Sequence, residues 1–347
     1  MKRRLLPVLL LFFAFAFTVV PIQALAWQRG EAIRFATLPD GSNNPEGIAV
    51  DTRGNLYVSD FAVGGTPGGV GQIIVFDRNG KLKRTLNVAG SSTLLLGIDF
   101  HPLTHALLVL DFGGNKVLQV DPTTGASSVF MTITGSGGLN ALAFDEIGNV
   151  YVSDSSQGII WKTGPGGGAG IPWLSSSLLT TTGVPPFGAN GLAFNHAANT
   201  LFVANTGNDT VVKVPVRNGA AGTPEVFVNS INGADGLIID EEDNLWVVAN
   251  QADEIVVVNP AGRVIAKLGD FDGIDRNGRP RGLLFPASLV RSGDFIYVTN
   301  LALDLRLFGL PQPVDAQWAA DVKRHTIARI PARIPSIGSG GKERDDD

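Results

Sequence analysis

Short apolar runs alternate with polar turns along almost the whole chain, and they come in pairs. One run is Gly47-Ile48-Ala49-Val50, and after Asp51 to Asn55 a second run, Leu56-Tyr57-Val58-Ser59, ends on Asp60. Two apolar runs of strand length joined by a tight polar turn predict a β-hairpin. The pattern recurs six times in altered form, with a leading anchor residue at Glu46, Leu96, Asn140, Asn190, Asp235 and Pro286. Successive anchors lie 44 to 51 residues apart, which suits the roughly 40 to 50 residues of a four-stranded propeller blade.

The sequence therefore predicts an all-β, six-bladed β-propeller over residues 27–335. In the first blade, strand A is expected over 47–50, B over 56–59, C over 72–76 and D over 82–88. The sixth blade shows no fourth strand of its own after Pro331, whereas Ala32 to Thr37 has no blade to join. This N-terminal strand is expected to complete the last blade, a closure that leaves no long unpaired sheet edge.

The ends of the chain differ from this repeat. Met1-Lys2-Arg3-Arg4, the apolar stretch from Leu5 to Val20 and the small-x-small site Ala24-Leu25-Ala26 form the pattern of a signal peptide over 1–26. A membrane anchor is the rival, but the stretch is interrupted by Pro7 and Pro21 and falls short of the ~20 apolar residues needed to span. The expected product is exported, periplasmic or extracellular, soluble and monomeric, with no membrane partner after cleavage. The Gly/Ser-rich and charged residues 336–347 are expected to be a disordered acidic tail.

Composition narrows the chemistry. The absence of cysteine removes thiolate nucleophiles, disulfides and zinc thiolate sites. With 27 Lys plus Arg against 32 Asp plus Glu, no basic surface for nucleic acid is expected. No Gly-x-Ser-x-Gly elbow occurs, and the Gly-rich segment 164–170 opens no helix and lacks the Lys-Ser/Thr of a phosphate loop, so it is expected to be a flexible C-to-D loop.

In a propeller blade, strand A begins and strand B ends on one face. That face gathers the anchors at the central axis, and Glu46, Asn140, Asn190 and Asp235 bring two carboxylates and two amides there. Taken singly, each is turn chemistry before a strand; four at one register point to a metal. Hard oxygen donors without nitrogen or sulfur favour calcium. A second ring, Asp60, Asp111, Asp154, Asn205, Asn250 and Asn300, ends strand B; most are expected to bind backbone N–H groups, with a minority lining the cavity. His101, His105 and His196 fall in A-to-B turns on the far face and are expected to be solvated. His325 alone lies on the anchor side, a weak acid-base candidate. The alternating carboxylates Asp270, Asp272 and Asp275 are a candidate second calcium site, although the closing Glu of an EF-hand is missing.

On Pro45-Glu46-Gly47, Leu139-Asn140, Ala189-Asn190-Gly191-Leu192-Ala193 and Ala234-Asp235-Gly236 with Asn244-Leu245-Trp246 the chain resembles the SMP-30/gluconolactonase/LRE-like superfamily, calcium-dependent six-bladed propellers with paraoxonase and strictosidine synthase relatives. The resemblance implies a calcium-dependent hydrolase of a lactone or ester. It implies Glu46, Asn190 and Asp235 as direct ligands, Asn140 as a ligand or a holder of metal-bound water and substrate, and Asp235 as candidate base. Sugar-lactonase members place an Arg shortly before the third-blade Asn; Gly137-Gly138-Leu139-Asn140 departs from this. With Phe187 near Asn190, and Leu307-Phe308-Gly309-Leu310 and Trp318 in the long insertion of the last blade, an apolar mouth and an uncharged or partly hydrophobic substrate are expected. The hairpins alone equally suit a non-catalytic NHL-like propeller that binds a ligand or a protein.

Overall fold

The computed structural model describes residues 29–66, 68–135, 137–310 and 318–335; the expected signal peptide and acidic tail lie outside the described residues. Six antiparallel sheets surround a central axis as a β-propeller. The first blade runs Asn44–Val50, Leu56–Phe61, Gln72–Phe76 and Leu82–Asn87 from inside outward. Its inner strand is longer than the sequence predicts, because pairing extends past the anchor to join Asn44 with Phe61 and Pro45 with Asp60. The inner strands of blades two to five are Leu95–Phe100, Leu139–Phe144, Ala189–Phe194 and Ala234–Ile239.

Blade six is built from Pro286–Ser292, Phe295–Asn300 and Thr326–Pro331, and Ile33–Thr37 forms its outer edge, with Ile33 opposite Arg329 and Thr37 opposite Thr326. The N-terminal strand thus closes the ring as expected.

Six apolar clusters fill the six blade-to-blade interfaces. Ala49, Ile73 and Val75 of blade one, for example, pack on Ile98, Leu107 and Val109 of blade two, and Ile48 and Val58 pack on Tyr297 and Ile327 of blade six. Alternate residues of each B strand serve opposite neighbours, so the strand is buried on both faces; Leu107–Asp111 has no exposed position. This is why the B strands read as continuous apolar runs. Each fully buried aliphatic side chain contributes about 1.5–3 kcal/mol of transfer free energy.

Two loop expectations change. The Gly-rich C-to-D segment is tied down, because Gly168–Ala169 pairs in parallel with Met131 and Thr132 at the outer edge of blade two. His101 is not solvated. It is fully buried, with Nε2 2.9 Å from the Gly148 carbonyl of the next blade, Nδ1 accepting from the N–H groups of Leu103 and Thr104, and its ring against Phe144. It is a cross-blade strut. His196 remains on the surface, 2.8 Å from Asp243.

Candidate metal centre on the propeller axis

Every inner strand carries a two-residue irregularity at its first turn. The register with strand B breaks between Pro45 and Ile48, Leu95 and Ile98, Leu139 and Leu142, Ala189 and Leu192, Ala234 and Leu237, and Pro286 and Leu289. A bulge re-aims a side chain out of strict alternation. The bulged residues are Glu46, Leu96, Asn140, Asn190 and Asp235 in the first five blades. In blade six the register makes Ala287, not Pro286, the equivalent residue, so the sixth anchor shifts by one from the sequence assignment.

The residue after the anchor explains the recurrent glycine. A Cβ on Gly47 would stand 2.6 Å from the Leu96 carbonyl oxygen, on Gly97 2.6 Å from that of Asn140, and on Gly191 2.4 Å from that of Asp235. The inner strands approach so closely at the axis that backbone faces backbone. These glycines pack the ring, beyond any role in turns.

Glu46, Asn140, Asn190 and Asp235 converge, with Leu96, on one axial cavity of about 30 Å³, walled by Phe61, Phe187, Phe285, Leu301 and Leu303. That is room for one ion or water. The four polar anchors are only 3 to 6 % exposed. Glu46 Oε2, Asn140 Oδ1 and Asp235 Oδ1 are buried with no hydrogen-bond partner. Buried polar atoms in folded proteins are nearly always satisfied, so orphan oxygens on Glu46, Asn140 and Asp235, with a further one on the neighbouring Asn250, call for a cation or water. No group of three or more His, Cys, Asp or Glu side chains that could hold a metal occurs among the described residues. The axial donors are two carboxylates completed by amide oxygens, a hard set that fits calcium.

The remaining polar atoms are held. Asn140 donates Nδ2 to Ser155 Oγ at 3.1 Å, and Ser155 Oγ donates to the Ala189 carbonyl at 2.6 Å. Asn190 donates Nδ2 to Thr206 Oγ1 at 2.9 Å, and Thr206 Oγ1 donates to the Ala234 carbonyl at 2.8 Å. Asn250 donates Nδ2 to Asp235 Oδ2 at 2.9 Å. The hydroxyls and Asn250 were not singled out by sequence as holders of the anchors, yet each follows its anchor by 15 or 16 residues, one hairpin away.

Burial, and after it the charge of Asp235, holds the Glu46 carboxyl well above the usual carboxylate range. Burial pushes Asp235 up to about 7, against the hydrogen bond from Asn250. Two carboxyls forced toward neutrality in one small cavity make a site that a cation stabilises by replacing protons.

The second ring divides as expected. Asp60 accepts from Asn43 N–H, Asp111 from Ser92 and Gly114, Asp154 from Gly138, Ser156 and Gln157, and Asn300 from Leu284. Asn205 accepts from Asn208 and donates to the Leu178 and Thr180 carbonyls. Asn250 alone of this ring reaches the axial cavity.

His325 does not line that cavity. It sits at the seam of the ring, with Nε2 3.2 Å from Asn44 Nδ2, and burial lowers its pKa to about 4. The second calcium site is not assembled either. Asp275 pairs with Arg34 at 3.2 Å and Arg279 at 2.9 Å, and Asp270 lies 3.6 Å from Arg29; arginines already neutralise these carboxylates, and Phe271–Ile274 is a strand paired with Pro280–Gly282.

The apolar mouth is present, but Leu307, Phe308 and Trp318 are exposed and outside it. Phe285 supplies the surprise. Its backbone lies in the left-handed region, φ 42°, an arrangement costing about 1–3 kcal/mol for a bulky residue. The Phe285 N–H is fixed on Asp253 Oδ1 at 2.6 Å.

Residues 115–269 match the family model of the SMP-30/Gluconolactonase/LRE-like region. The resemblance to the SMP-30/gluconolactonase/LRE-like family is thereby shown. This stretch holds three of the four polar anchors, Asn140, Asn190 and Asp235. Solved structures share the propeller. A gluconolactonase from Xanthomonas campestris gives a TM-score of 0.60 at 14% identity, over 85% of this chain and 88% of its own. Regucalcin, a calcium-binding protein from Agrobacterium tumefaciens, gives 0.59 at 14% identity, over 88% and 95%. A luciferin-regenerating enzyme gives 0.60 at 16% identity, over 84% and 92%. At such identities the likeness is one of fold. No curated protein matches the chain.

Proposed function

We propose that this chain is an exported, calcium-dependent hydrolase of an uncharged lactone or ester with apolar substituents. The observation that carries the reading is the set of orphan oxygens on Glu46, Asn140 and Asp235 around one axial cavity. The gluconolactonase-like neighbours and the regucalcin likeness support it. Glu46, Asn140, Asn190 and Asp235 would hold the ion. Bound there, calcium supplies polarisation of a carbonyl and stabilisation of the oxyanion that develops on it.

The chain supplies the rest. Asn250 donates one hydrogen bond to Asp235 Oδ2, so with Oδ1 turned to the ion the remaining lone pair of Oδ2 would accept a proton from an attacking water. As the water oxygen bonds to the carbonyl carbon and the ring C–O bond breaks, that proton passes from Asp235 to the leaving oxygen. Phe61, Phe187, Phe285 and Leu303 exclude bulk water and present an apolar surface to the substrate.

A second reading has its own observation. A cavity of about 30 Å³ lined by apolar side chains has room for an ion or a water and not for a whole lactone, so catalysis requires the substrate to bind at its mouth. If it does not, an axial cation only clamps the six inner strands, and the chain is a non-catalytic, NHL-like binding propeller. A panel of lactones and aryl esters, assayed with calcium and then with chelator, separates the two. Chelator-sensitive turnover supports the hydrolase, and calcium binding without turnover of any member supports the binding module.

A further inference from the structure

The end of Asn140 and of Asn190 that faces the axis decides what the axis can hold. An oxygen attracts a cation, whereas an NH₂ group repels it. An asparagine side chain is nearly symmetric in shape, so packing alone does not choose between the two.

Hydrogen bookkeeping makes the choice. A hydroxyl carries one proton and two lone pairs. Ser155 spends its proton on the Ala189 carbonyl oxygen, which has no proton to give in return. Toward Asn140 it offers only a lone pair, and Nδ2 must be the atom that meets it. The oxygen is forced to the other side, and Asn140 Oδ1 is indeed buried without a partner. Thr206 repeats the device one blade on, spending its proton on the Ala234 carbonyl and accepting from Asn190. Both hydroxyl residues are buried, 4 and 1 % exposed.

The corresponding position elsewhere follows the same logic. The residue that follows the second-ring Asp or Asn is Ser155 or Thr206 where the anchor is Asn, but Phe61, Phe112 and Gln251 where the anchor is Glu46, Leu96 or Asp235. A hydroxyl occurs only where an amide needs orienting.

We propose that Ser155 and Thr206 are positioning residues that hold the Asn140 and Asn190 oxygens toward the axis and so make it a calcium site. The proposal rests on the axial cation of the previous subsection. A plain structural alternative exists, because each hydroxyl also stitches its blade to the next through the Ala189 or Ala234 carbonyl. The stitch affects calcium-free and calcium-loaded protein alike, while orientation acts on affinity through the asparagine alone.

The test is calcium affinity by titration calorimetry, with melting in chelator as the control for the stitch. Removing a group that orients a metal ligand typically costs 10–100-fold in affinity. Ser155→Ala is expected to lose at least tenfold in calcium affinity and Ser155→Thr to retain it. Thr206→Val makes the same test in blade four. In an Asn140→Ala background, Ser155→Ala should produce no further loss. Wild-type affinity in Ser155→Ala, or an equal loss when Asn140 is already absent, overturns the proposal and leaves the axial cation standing. Absence of calcium binding by the unmodified protein removes both.

Discussion

Asn250 Nδ2 donates to Asp235 Oδ2 at 2.9 Å, while Asp235 Oδ1, equally buried, has no partner. The two oxygens of one carboxylate are thus assigned different tasks. Replacing Asn250 with Leu keeps the volume and removes the donor, leaving Oδ2 buried and unpaired at a cost of about 1–3 kcal/mol. Because the donated bond lowers the Asp235 pKa, its loss raises that pKa further above about 7. Denaturant unfolding is expected to show the lost stability. Calcium titrations across pH should show the midpoint for binding moved upward.

The unmodified protein has a pH dependence of its own. Glu46 and Asp235 have folded pKa values raised above their unfolded ones, so between the two the folded state binds more protons than the unfolded state. Calcium-free protein is therefore expected to lose stability as pH rises from about 4 to about 7, the window set by Asp235. Calcium reverses the trend, since it binds the deprotonated pair and stabilises by mass action, about 2.7 kcal/mol at a hundredfold excess over Kd. Melting temperatures measured with chelator and with calcium across this range should diverge with rising pH. Glu46→Gln, which removes one titrating carboxyl and its repulsion with Asp235, should flatten the chelator curve and abolish the divergence.

The close approach of the inner strands makes a third expectation. At Gly191 a Cβ would meet the Asp235 carbonyl oxygen at 2.4 Å and the Leu237 nitrogen at 2.8 Å, neither of which is a flexible side-chain end. Gly191→Ala is expected to cost about 1–3 kcal/mol as an overpacked site. By moving the Asp235 backbone it should also weaken calcium binding. Wild-type melting temperature and calcium affinity in this variant would show that the strands part freely at the axis.

How much of this was legible in the sequence depends on how local each feature is. The hairpins, the closing strand Ile33–Thr37 and the anchors Glu46, Asn140, Asn190 and Asp235 are written in contiguous motifs. The sixth anchor is Ala287 and not Pro286 because the bulge lies between Pro286 and Leu289, where no Asp, Asn or Glu marks it in the sequence. The burial of His101 depends on the Gly148 carbonyl of the next blade, 47 residues away, and no local pattern reports it. Phe187 lines the mouth as its place before Asn190 suggests, whereas Leu307, Phe308 and Trp318 lie outside it, and Phe61 and Phe285 complete it from strand ends that look like any other apolar run. The pairing of a hydroxyl with each anchor asparagine depends on where the Ser155 and Thr206 protons go, to the Ala189 and Ala234 carbonyls of the next blade, and no local pattern reports it.

The apolar roof supplies the last expectation, and it separates access from chemistry. Phe187 lines the axial cavity and meets Phe112 edge to face, centroids 6.5 Å apart, while Phe112 meets Phe61 at 6.0 Å. Phe187 is half-buried, so truncation to Ala opens the mouth with modest loss of packing. Phe285 is 2 % exposed, and its truncation is expected to cost about 3–5 kcal/mol. Phe187→Ala leaves Glu46, Asn140, Asn190 and Asp235 in place, so its calcium affinity should stay at the wild-type value. If the roof limits entry, the ratio of kcat/KM for a bulky apolar lactone to that for a small one should rise severalfold in Phe187→Ala. An unchanged ratio in a calcium-loaded, active variant would mean that substrate enters past Phe61 or Leu303 instead. Loss of calcium binding along with activity would instead mean that Phe187 props the metal centre and does not gate it.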